Sequence, residues 1–184
     1  MADNFKKIQI AGEFIDLDAL RNDAYISIDY SHDKIHKGEM WGFSHYAGTI
    51  AAAGTMQVTY IAGTVTPQVV FDVAAGAACQ INIVQNATLT GGTLLPVHNR
   101  IVSTAGSSLM SAKHSGTIAG GTTLLSTYLP GGISKGVAQA GGASGRDASE
   151  WILPVSGTIT MQLVGIGDST GASINCEFYE ENET

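Results

Sequence analysis

Apolar and polar residues alternate along most of this chain, and no segment carries the three-and-four spacing of an amphipathic helix. A period of two sends successive side chains to opposite faces of a strand. In "AYISIDY" it sets Ile26, Ile28 and Tyr30 against Tyr25, Ser27 and Asp29. Further strands are predicted at 39–46, 55–61, 66–74, 78–85, 93–97, 116–119, 122–129, 150–154, 157–165 and 172–180. The inward-facing sets are Met56, Val58 and Tyr60; Val69, Phe71 and Val73; Ile81 and Ile83; Ile159, Met161 and Leu163; and Ile174, Cys176 and Phe178. Glycines or polar turns separate most of these runs, among them Gly91-Gly92 and Gly120-Gly121. Short strands at such intervals predict an all-β fold, an antiparallel β-sandwich of jelly-roll-like character. Pro67 and Pro154 belong at strand starts or edges, where a missing N–H is tolerated.

Ahead of this body, residues 1–22 read as an extended N-terminal arm, and residues 23–184 as a single β-sandwich domain. The arm has too few apolar residues to fold alone. Phe5, Ile8, Ile10 and Phe14 are its candidate anchors on another subunit, with Lys6 and Lys7 placed to meet carboxylates. "KIQI" is predicted to gain its backbone partners by adding to a sheet edge of another chain. Two long Gly/Ser/Ala-rich loops, 99–116 and 130–149, interrupt the sandwich, and loops of this length are usually functional or ordered by a partner.

Composition sharpens the picture. Charged residues make up 14% of the chain, against about 25% in ordinary soluble domains. More than half of them fall in residues 1–40, whereas residues 41–145 carry only Asp72, Arg100, Lys113 and Lys135. A neutral Thr/Ser/Gly/Ala surface over so much of the chain suits burial against other subunits. The net charge of −7, with Lys6-Lys7 as the only basic pair, excludes nucleic acid as a partner. The acids of "EFYEENET" read as a solvated end. No membrane span is expected, because the apolar stretch "YAGTIAAAGTMQVTYIAG" alternates and is broken by glycine. Cys79 and Cys176 sit in strand-like contexts and are expected as buried free thiols.

Candidate chemistry is sparse. His32 and His36 in "HDKIH" have the spacing of a helical metal pair, but a zinc hydrolase needs a glutamate between them and a third ligand. "GIGDSTG" at 165–171 has the glycines of a phosphate loop, yet a strand follows it where a helix N-terminus is required. It reads as a hairpin turn between the last two strands. The serines of "TAGSSLM" lack a nucleophile elbow, and His98, His114, Asp72, Asp147, Glu150 and Asp168 form no pairwise pattern. No metal, cofactor or catalytic residue is assigned. Trp41 and Trp151 each open a strand, as core aromatics or as a sugar-stacking platform.

The order of features resembles structural proteins of tailed bacteriophages over residues 24–180. It consists of an arm, a sheet-only body, "LLPVHNR" with Pro96, Asn99 and Arg100, a Gly/Ser loop, then "GRDASEWILPVSGTITMQLVGIGDSTGASINCEFYE". That resemblance implies a non-enzymatic capsid decoration, or cement, protein. Such a protein is made in the host cytoplasm, sits on the outer capsid surface of the virion, binds the major capsid protein and associates as a homotrimer. Arg100, Arg146 and Asp147 are then candidate residues of intersubunit loops. The alternative is a head- or tail-fibre-type carbohydrate- or receptor-binding module.

Overall fold

The computed structural model describes residues 7–10, 13–16, 34–101, 107–131, 150–168 and 171–181. The chain divides into two compact units, Met1–Asp33 and Lys34–Thr184. In the first, β1 (Lys7–Ile10) and β2 (Glu13–Asp16) form an antiparallel hairpin, with Lys7 opposite Asp16 and Ile8 opposite Ile15. "KIQI" thus has a strand partner within its own chain, "EFID", where one on another chain was expected. Two residues, one of them glycine, separate the strands, the spacing at which a hairpin closes locally. Lys7, Ile8, Ile10 and Phe14 lie in this hairpin. Phe5, Lys6 and the strand expected at 25–30 lie outside the described residues.

Among its described residues the second unit is all-β but for one helical turn at 34–36. Its strands are β3 (Met40–Ala47), β4 (Thr55–Ile61), β5 (Thr66–Ala75), β6 (Cys79–Gln85), β7 (Thr88–Thr90), β8 (Thr93–Leu95), β9 (His98–Asn99), β10 (Ser111–His114), β11 (Thr117–Ala119), β12 (Thr122–Leu129), β13 (Trp151–Ile152), β14 (Thr158–Gly165) and β15 (Ala172–Glu181). A six-stranded sheet runs β12-β6-β14-β4-β10-β8, a five-stranded sheet runs β13-β5-β15-β3-β9, and β7 pairs with β11 in a small ribbon. All pairings are antiparallel.

One core lies between the two large sheets. Met56, Val58, Tyr60, Ile81, Ile83, Ile159, Met161 and Leu163 come from the six-stranded side. Trp41, Phe43, Val69, Val73, Ile174, Cys176 and Phe178 come from the other. The alternation predicted every one of these inward positions except the β3 pair; Phe71 is half-buried and packs against the cluster. Tyr60 joins the layers, with its ring centroid 4.7 Å from Phe43, 5.1 Å from Phe71 and 6.4 Å from Phe178. Its hydroxyl is buried without a conventional hydrogen-bond partner. Burial, with the Cys176 thiol beside it, pushes the phenol well above its ordinary range.

The connectivity departs from the hairpins expected. Among the described residues, no two consecutive strands of this unit pair with each other. From β3 to β6, and again from β12 to β15, each connection crosses from one large sheet to the other. "GIGDSTG" is therefore a crossover between sheets, not a hairpin turn. Asp168 Oδ1 accepts the Ala52 N–H at 2.8 Å and ties this crossover to the turn before β4. Gly91-Gly92 (φ 72° and 92°) and Gly120-Gly121 (φ 67° and 87°) have the left-handed backbone of tight primed turns. They move the chain from the β7–β11 ribbon into the six-stranded sheet, to β8 and to β12. The final strands β14 and β15 occupy interior positions, each flanked on both sides by earlier strands. Neither large sheet is complete until the end of the chain has been placed, a topology of non-local pairings that folds slowly.

Candidate interaction surfaces

Among the described residues, no group of three His, Cys, Asp or Glu side chains could hold a metal ion. His36 ends the helical turn at 34–36, and His32 lies outside the described residues. Trp41 is buried in the core and Trp151 packs against it. The features that could engage another molecule are edges and loops.

The predicted loop 99–116 contains a strand of the six-stranded sheet. β10 pairs with both β4 and β8, with Ala112 opposite Tyr60 and Leu95. Residues 102–106 lie outside the described residues. Glu180 anchors the segment before β10: its Oε1 accepts the Ser108 hydroxyl at 2.5 Å, the Leu109 N–H at 2.8 Å and the Met110 N–H at 3.0 Å. A carboxylate accepting backbone N–H groups makes charge-assisted bonds, stronger than neutral ones. At the other end of this segment Arg100 pairs with Glu177 through Nη1 and Oε1, and the Arg100 N–H reaches the Met40 carbonyl at 2.9 Å. Arg100 is thus held by its own five-stranded sheet, in an exposed pair that contributes about 0–1 kcal/mol. Glu177 and Glu180 belong to β15, so the acids assigned to a solvated end are in part structural. Only three-dimensional pairing could reveal this, since their partners lie 70 to 77 residues away.

A second segment lies between β12 and β13. Arg146 and Asp147 lie within it, outside the described residues. Its ends are informative: β12 is one of the two outer strands of the six-stranded sheet and β13 one of the two of the five-stranded sheet. "EWILP" enters the sandwich through Trp151 opposite Val69 and Ile152 opposite Gln68. Both flanks carry exposed apolar side chains: Leu124, Leu125 and Tyr128 before the segment, Ile152 and Val155 after it. On β12, Ser126 donates to Asn82 Oδ1 at 2.9 Å and accepts from Gln80 Nε2 at 2.7 Å, holding the strand to β6.

The outward face of the six-stranded sheet bears a buried polar row. Thr59 and Thr160 share a hydroxyl–hydroxyl bond of 2.8 Å, and Gln162 donates to Gln57 at 2.9 Å. The β7–β11 ribbon is fastened to this face by Gln57 Nε2 on the Gly116 carbonyl and Thr158 Oγ1 on the Ala87 carbonyl.

Between the two large sheets, His45 of β3 and His114 of β10 stack at a centroid distance of 4.1 Å. Burial, and then the charge of His114, hold His45 below its ordinary value of 6.5. The unfolded chain therefore takes up this proton first, and the stability tied to neutral His45 is lost as pH falls below 6.5 and through the lowered value. Thermal midpoints measured near pH 7.5 and near pH 5 are expected to fall further for the natural chain than for His45→Gln. Equal losses in the two proteins contradict this role.

No family model, curated protein or solved structure matches this chain.

Proposed function

We propose that this chain is a non-enzymatic structural protein of a phage virion that decorates the outer capsid surface and reinforces contacts between major capsid subunits. The observation that carries the reading is the uncharged margin of the sandwich. The long segment 130–149 begins and ends on outermost strands, with exposed Leu124, Leu125, Tyr128, Ile152 and Val155 on its flanks. Exposed apolar side chains on both flanks of such a segment suit an interface, where they leave water on assembly. The nearly charge-free stretch from Trp41 to Gly145 suits close packing against neighbouring subunits. The order of sequence features shared with tailed-phage structural proteins supplies the virion setting.

Co-sedimentation with shells assembled from the major capsid protein of the same genome tests this. Saturable binding to assembled shells is expected, with none to isolated capsid subunits. Deleting residues 132–149 is expected to abolish shell binding. Equal binding to shells and free subunits, or binding to glycans in place of shells, overturns the reading.

A further inference from the structure

The longest open edge among the described strands is β12. The outer strands of the two large sheets are β12, β8, β13 and β9. β8 has three residues and β13 and β9 two each, whereas β12 has eight. Very short edge strands are one way in which proteins keep their sheets from pairing with other chains, and β12 does not follow it. One side of its backbone bonds to β6; no described strand occupies the other. All of its residues but Leu129 are exposed, with Leu124 at 42%, Leu125 at 40% and Tyr128 at 61%. The register shifts between Thr123 and Leu125, and from Leu125 to Leu129 the strand runs regularly along β6. A half-apolar edge, whose outer N–H and C=O groups meet no strand among the described residues, is therefore left open.

We infer that β12 pairs antiparallel with β12 of a second copy across a two-fold axis, joining two six-stranded sheets into one continuous sheet. Charge selects a second copy as the occupant. Self-pairing opposes a strand to its own sequence, which is tolerable only where no like charges meet, and no charged residue lies between Lys113 and Lys135. With a net charge of −7, two copies repel each other generally and approach most easily along a neutral margin. Edge length selects the symmetry. A head-to-tail ring has to set β12 against β8, β9 or β13, which offer at most three residues. The only edge of matching length among the described large-sheet strands is β12 itself, so the contact is isologous. The pair goes beyond the decoration reading and forms without shells. It also differs in stoichiometry from the trimer that the phage resemblance implies.

Sedimentation equilibrium on the full chain at micromolar concentration is expected to show a dimer. Backbone amides of 122–128 are expected to exchange more slowly as protein concentration rises. Leu124→Lys with Tyr128→Lys places like charges across the seam at two exposed positions, and weakens the dimer by about 100-fold. Leu124→Glu with Tyr128→Glu does the same, and mixing the Lys and Glu variants restores a one-to-one heterodimer. A monomer or trimer in the natural protein, or a dimer that survives both charge variants, overturns the inference. So does a mixture that fails to pair. Should a charge variant fail to fold, amide exchange of the natural protein decides alone: protection independent of concentration overturns it.

Discussion

Phe178→Ala is expected to cost about 3–5 kcal/mol of folding stability, a large share of the roughly 5–15 kcal/mol that holds a domain together. Phe178 has no exposed surface and lies on β15, interior to its sheet between β3 and β5. It stands opposite Trp41 and Val69 and meets the Tyr60 ring edge-on across the sandwich. Truncation removes a large apolar volume where backbones on both sides are pinned by ladders, so the cavity cannot collapse. Guanidinium unfolding followed by tryptophan fluorescence measures the loss, with Trp41 and Trp151 as reporters. A change below about 1 kcal/mol, the size of an ordinary surface substitution or little more, contradicts this packing.

The second large effect concerns the buried hydroxyl pair. Thr59 and Thr160 are both fully buried, face each other across β4 and β14, and share one hydrogen bond. Thr59→Val leaves the Thr160 hydroxyl buried and unpaired, at an expected cost of about 1–3 kcal/mol. Thr160→Val does the same in reverse. With both replaced, two isosteric methyl-bearing side chains meet and the cost nearly vanishes. A double-mutant cycle by chemical denaturation is expected to give a coupling above about 1 kcal/mol. Additive single effects show that the two hydroxyls stabilise the fold independently of each other.

Both positions show how far the linear pattern reaches. Alternation assigned Phe178 to the core from its place between Cys176 and the acids of "EFYE", and burial bears this out. The same alternation places Thr59 and Thr160 on the outward face, which is correct, and says nothing of their full burial there. β11 was predicted at 116–119, but its partner β7 and the strand β10 fell in stretches too short or too polar to show a period: "TLT" and "SAKH" carry one apolar residue each. His45 and His114 lie far apart in sequence on strands of different sheets, so no spacing could have linked them.

The all-β class, most strand positions and most of the inward faces were set by the sequence alone, because side-chain direction in a strand follows from a period of two, whatever the strand pairs with. Tertiary structure decided which strand lies beside which. The glycine turns at Gly91-Gly92 and Gly120-Gly121 have the local chemistry of hairpins, yet each passes the chain to a different sheet. The choice rests on burial: crossing between sheets lets β3 to β6 enclose one apolar interior from both sides, with β14 and β15 filling the gaps left within each sheet. Pairing each strand with its successor would have satisfied the same backbone groups. Only the packed core distinguishes the two arrangements, and it also leaves β12 as a long, uncharged edge.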